Sequence, residues 1–132
     1  KNPVKEAGCR DPEGNFFRVD LMKDTQQDPI LQHLPENFNV FHIHRETVEL
    51  TPEMPLLATG KFCRNQFVRI AKNAYGAQFH LELTPEMLED WAENDSWLQE
   101  INQKQLRTDF TLQQDNYAKI LRQMMKNFSD LL

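Results

Sequence analysis

The spacing of apolar residues changes once along this chain, at Glu82, and that change fixes the class of fold open to it. Up to about residue 80, apolar and polar side chains alternate, as they do along strands. From Thr84 onward, apolar residues recur every three to four positions, as they do along helices. A chain ordered this way is an α/β protein, mainly strands over 1–80 and helices over 83–132.

The alternation predicts strands at Asn15–Met22, Phe38–His44 and Leu56–Thr59, the first entered through an Asp11-Pro12-Glu13-Gly14 turn. In the second, Phe41 and Ile43 face one way and Val40, His42 and His44 the other. Gln66–Ala71 and Tyr75–His80 read as a hairpin joined by Lys72-Asn73-Ala74, with Gly76 permitting close backbone approach. Asp28-Pro29 caps and starts a short helix that Pro35 ends. Its His33 is a surface residue, and Thr51–Pro55 is a loop. Thr84-Pro85-Glu86 opens a longer helix with Met87, Leu88 and Trp91 as its apolar stripe. Asp95 or Ser96 caps a second, with Trp97, Leu98 and Ile101 inward. A third is expected from Asp109, its stripe being Phe110, Tyr117, Ile120, Leu121, Met124, Met125, Phe128 and Leu131. Such a methionine-bearing stripe is a packing face against a sheet or a partner groove.

Bulk properties narrow the function. With 132 residues, 39% hydrophobic and 27% charged, the chain is long enough for one domain with a core. The net charge is −5, and the whole acidic surplus lies after residue 80, on the wet faces of helices. No basic stripe points to nucleic acid. No apolar run approaches the ~18 residues of a membrane span, and no signal peptide is evident. Two cysteines, Cys9 and Cys63, are too few for a disulfide scaffold and suit a reducing cytoplasm. The chain begins at Lys1 rather than Met, which reads as the interior of a longer protein.

The chemistry concentrates at Gly76–Glu86. A strand end there delivers His80 and, two residues on, Glu82 to the same side, just before a helix start. That is the layout of a general base and the carboxylate that orients it. His42 and His44 share a strand face without a third ligand in view, so a metal is not expected. His44-Arg45-Glu46-Thr47 instead lines a site, making His44 and Glu46 candidate lining residues. Neither cysteine follows the pattern of an activated nucleophile: Cys9 has no helix after it, and Cys63, though beside Arg64, shows no oxyanion hole.

Gly76-Ala77-Gln78-Phe79-His80-Leu81-Glu82 with Thr84-Pro85-Glu86 resembles the Gly-x-Gln-Phe-His-Pro-Glu signature of class I (triad-type) glutamine amidotransferases, with Leu81 where proline is usual. Three upstream segments add to the likeness in the family's order. Pro3–Gly8 is similar to a Pro-x-Lys-Glu-Ile-Gly strand of stand-alone members that resemble the amidotransferase part of GMP synthase. His44–Val48 is similar to a His-Gly-Asp-x-Val/Phe segment, with Arg45 and Glu46 substituted. Leu56–Thr59 with Asn65-Gln66-Phe67 is similar to a Leu-Ala-x-Ser…Asn-Gln-Ala-Phe stretch.

The resemblance implies a flavodoxin-like open sheet, here incomplete, with antiparallel hairpin strands and C-terminal helices. The family's nucleophile sits in a Gly-x-Cys-x-Gly elbow, and none occurs in this sequence. The 132 residues then correspond to the C-terminal part of one such domain. His80 is the implied base and Glu82 its orienting acid. The implied substrate is glutamine, the intermediate a cysteine thioester, and the ammonia acceptor a synthetase domain or subunit; no cofactor is needed. A half-sheet of this kind is expected to bind its missing N-terminal half or to self-associate. Two alternatives stand beside this reading: a γ-glutamyl hydrolase on the same fold, and a non-catalytic module docking a partner through Met124, Met125 and Phe128.

Overall fold

The alternating segments pair into a five-stranded sheet in the computed structural model, which describes residues 5–6 and 16–132. Its strands are β2 (Phe16–Leu21), β3 (Asn37–Phe41), β5 (Leu56–Gly60), β6 (Phe67–Ala71) and β7 (Ala74–Ala77), in spatial order β3-β2-β5-β6-β7. Every neighbouring pair is antiparallel. Val19 at the centre faces Phe38 on one side and Gly60 on the other. Two short strands, β1 (Lys5–Glu6) and β4 (Glu46–Thr47), form a separate antiparallel ladder. Cys9 and the turn expected at residues 11–14 lie outside the described residues.

The helices follow from their caps. Thr84 accepts a hydrogen bond from the Met87 amide, and Pro85 takes the first position of α1 (Pro85–Asn94). Asp95 caps α2 (Ser96–Gln99) by accepting from the Trp97 and Leu98 amides. Asp28 does the same for Ile30 in a 3₁₀ turn at Pro29–Leu31. The long helix α3 (Gln103–Asp130) lies on one face of the sheet. Its Leu106, Phe110, Tyr117, Ile120 and Met124 share a core with Val19, Phe38, Val40 and Phe67.

Several expectations are corrected. Helix α3 starts at Gln103, not Asp109, because the Asn102 side chain accepts from the Gln105 amide. The polar turn that follows carries no apolar period and hid that start. The strand expected to run to His44 ends at Phe41, and the one expected to reach His80 ends at Ala77. Ile101 falls beyond α2. Gly60, rather than Gly76, is the position that close packing demands. A Cβ at Gly60 would sit 2.9 Å from the Cys63 carbonyl oxygen and from the Phe17 ring, whereas at Gly76 its nearest neighbour would be the movable tip of Ile70 at 3.2 Å, with Val68 at ordinary contact distance. The proposed docking stripe is largely occupied: Met124 is buried, Phe128 packs edge-on against Tyr75, and Met125 alone of the three is exposed.

The other face of the β6–β7 hairpin is partly open. Val68, Ile70, Val48, Met54 and Ala77 line an apolar recess of about 130 Å³ there, and Ile70 and Val48 are exposed.

Candidate active site

Burial keeps alternating after the β7 ladder has ended, and this sets the site. Phe79, Leu81 and Leu83 are buried, so His80 and Glu82 turn outward together. The segment is anchored by one bridge to the end of β3, in which the His80 and Phe41 amides exchange hydrogen bonds of 2.9 and 3.1 Å. The His80 Nδ1 then lies 2.6 Å from Glu82 Oε1. The other Glu82 oxygen accepts from the Leu81 amide at 3.0 Å, which fixes the carboxylate. Partial burial pushes the Glu82 carboxyl up, but the hydrogen bonds from His80 and the backbone outweigh it and hold the group below its ordinary value. Glu82 is therefore ionised at neutral pH. A carboxylate there selects the tautomer with the proton on Nδ1, leaving Nε2 as the atom able to take or give a proton. Trp91 of α1 meets the imidazole edge to face at 5.1 Å.

A second group of imidazoles lies alongside. His42 is wholly buried, with its ring edge-on to Phe17 at 4.4 Å and to His44 at 3.9 Å. Neither His42 nitrogen has a hydrogen-bond partner among the described residues. Burial, reinforced by His44 and His80, lowers the His42 pKa to about 3, so this ring is neutral. Burial also lowers the pKa of His44, against the hydrogen bond at 2.7 Å between its Nδ1 and the Glu46 carbonyl. Glu46 thus meets His44 through its backbone, while the residue itself is exposed. Among the described residues, no group of three or more His, Cys, Asp or Glu is placed to hold a metal.

The sequence reading brought His80 and Glu82 together but missed Gln78. Its Oε1 accepts from the Thr47 hydroxyl and the Val48 amide, and its Nε2 donates to the Glu46 carbonyl. One side chain so clamps β4 and the His44 loop to the segment leading to His80. It also missed Trp91 as a neighbour of His80 and His42 as a buried group. Helix and strand periodicity flagged Trp91 only as packing. Cys63 is buried and its thiol donates to Thr47 Oγ1 at 3.3 Å. His33 is exposed, just past the 3₁₀ turn, with φ at 62°.

No family model matches the chain. It is 29% identical over 85 residues to the glutamine amidotransferase-like protein YfeJ of Salmonella typhimurium, an alignment that takes in 63% of this chain and 36% of that one. A glutamine amidotransferase of Thermotoga maritima superposes with a TM-score of 0.78 at 20% identity, over 95% of this chain and 54% of its own. One from Methylobacillus flagellatus gives 0.72 at 15% identity, over 99% and 54%. A protein of Thermoplasma acidophilum described as one subunit of a GMP synthase gives 0.57 at 18% identity, over 98% and 49%. The fold is that of glutamine amidotransferase structures, of which the chain spans about half, and its sequence resembles the same family.

Proposed function

We propose that these residues are the His–Glu-bearing, C-terminal part of a glutamine amidotransferase domain whose nucleophilic cysteine lies in polypeptide outside residues 1–132. The observation that carries the reading is the 2.6 Å contact between His80 Nδ1 and an ionised Glu82, beside an open ring edge. A cysteine thiolate supplied next to Nε2 attacks the side-chain amide carbon of glutamine. His80 gives its proton to the departing ammonia, and Glu82 stabilises the imidazolium while it carries the charge. Water then attacks the thioester, His80 takes the proton, and glutamate leaves. The ammonia passes to an acceptor held by a synthetase domain or subunit, a step that the likeness to a GMP synthase component supports. The apolar recess beside Val68 and Ile70 gives the remaining half of the domain a surface to cover.

The test is ammonia release from glutamine by the full-length protein. His80→Ala lowers kcat/KM by about 10²–10⁴-fold. The 132 residues alone release none, since they lack the acyl-enzyme nucleophile. Unchanged turnover in His80→Ala, or activity of the isolated chain that vanishes in Cys63→Ala, overturns the reading.

A further inference from the structure

Gln78 sits two residues before His80, and both polar atoms of its side chain are engaged with the loop that follows His44. The orientation of its amide is over-determined. The Val48 amide can only donate, so the atom it meets at 3.2 Å is the Gln78 oxygen. The Thr47 hydroxyl accepts from the Cys63 thiol at 3.3 Å and gives its own proton to that same oxygen at 3.1 Å. The Gln78 nitrogen is thereby turned to the Glu46 carbonyl, 2.9 Å away.

The same carbonyl decides the state of His44. Its oxygen lies 2.7 Å from His44 Nδ1, a distance that requires a proton on that nitrogen. Nδ1 is then a donor, so the Gln78 nitrogen 3.4 Å from it is directed at the shared oxygen and is no partner of the ring. The neutral ring has a bare Nε2, and this atom is buried with no hydrogen-bond partner among the described residues. A second proton there would be a buried donor without an acceptor. Burial lowers the pKa of His44 against the Glu46 hydrogen bond, and His80 lowers it further. His42, just past β3, sets a second uncharged ring against it. Arg45 turns its guanidinium to Ser96 and Trp97, and Glu82 is committed to His80.

We propose that Gln78 is a positioning residue for the reaction at His80. Together with the Glu46 carbonyl it holds His44 as a neutral ring, so that the positive charge His80 takes up in acyl transfer forms without a second cation beside it. This role rests on the acyl-transfer reading above. Charges on the two rings oppose one another, so a protonated His44 would raise the cost of an imidazolium at His80. An amide at position 78 directs a donor at the Glu46 carbonyl without bringing a charge. A carboxylate in its place would compete for the Nδ1 proton and stabilise a charged His44.

The experiment follows ammonia release from glutamine by the full-length protein between about pH 6 and about pH 8.5. In Gln78→Glu the introduced carboxylate raises the pKa of His44. Its kcat/KM then falls about tenfold below wild type at the acid end and returns to within about threefold at the alkaline end. The double variant Gln78→Glu with His44→Asn keeps a donor for the Glu46 carbonyl but no titrating ring, so its loss is the same at every pH. Nitrogen NMR of the wild-type histidine rings, with His44 assigned through His44→Asn, finds Nδ1 protonated and Nε2 bare across the range. Thermal melts report whether each variant is folded; should Gln78→Glu unfold, the ring state read by NMR decides alone. An equal loss at every pH in Gln78→Glu, as a purely structural clamp would give, overturns the inference and leaves the amidotransferase reading standing. Unchanged activity in Gln78→Glu, a pH-dependent loss that persists in the double variant, or a His44 ring protonated on Nε2 overturns it in the same way. No ammonia from the wild-type protein removes both.

Discussion

Two polar clusters border the same core, and they are finished to different degrees. In the first, Asp28 is almost fully occupied. One oxygen accepts from the Ile30 amide and the Tyr75 hydroxyl, the other from Arg69 at 3.1 Å. Nearby, Asn127 donates to the Ile30 and Gln32 carbonyls and accepts from Gln123. In the second cluster, both His42 nitrogens, the His44 Nε2 and the Gln66 Oε1 are buried with no hydrogen-bond partner among the described residues. Buried polar atoms without partners are costly, so the second cluster stands out against the first. The first locks the 3₁₀ turn and the hairpin to α3. The second, centred on His42 and His44, lies near His80, and its buried atoms lack the partners that hold the first together.

The sharpest way to break this comparison is pH. An unfolded histidine takes up a proton near 6.5, whereas His42 in the fold stays neutral down to about 3. Between those values the unfolded chain binds the additional proton, so stability falls as pH falls through that window. At about 1.4 kcal/mol per unit, the loss amounts to several kcal/mol across it. Urea midpoints of the full-length protein measured from pH 7 to pH 4 should therefore drop more steeply for wild type than for His42→Leu. Parallel curves would mean that the imidazole is not held neutral, and the contrast would fail.

The finished cluster predicts the next largest effect. Asp28→Ala takes the carboxylate from Arg69, which keeps only the Ala71 and Lys72 carbonyls, strands the Tyr75 hydroxyl and removes the cap of the 3₁₀ turn. The expected cost is about 3 kcal/mol in denaturant unfolding at neutral pH. A loss below about 1 kcal/mol would show that this corner contributes little. A smaller effect sharpens the picture at the site's edge. Thr84→Ala removes the α1 cap and should cost about 1 kcal/mol. Trp91 rides on that helix against the His80 ring, so ammonia release from glutamine by the full-length protein should decline with it.

Much of this was legible in the sequence wherever the cause is local. Thr84-Pro85, Asp28-Pro29 and Asp95 announced helix starts because a cap acts on amides two or three residues away. The two-residue spacing of His80 and Glu82 carried their meeting for a similar reason. The misplaced α3 start shows the limit. Apolar periodicity begins only when a helix touches the core, and the first turn of α3 precedes its first buried residue, Leu106. The ends of β3 and β7 were misjudged because a strand stops where its partner stops, which side-chain alternation does not record.

By itself the sequence determined the order of strands and helices, their caps, and the pairing of an imidazole with a carboxylate, all set by interactions within a few residues. Tertiary structure alone decided that His42 is sealed in the interior, that Gln78 ties the His44 loop to the His80 segment across some thirty positions of chain, and that Trp91 packs edge to face against His80. Those outcomes depend on which distant segments come to lie side by side. Burial and hydrogen-bond partners there are properties of the assembled sheet and helices, and no short stretch of residues contains them.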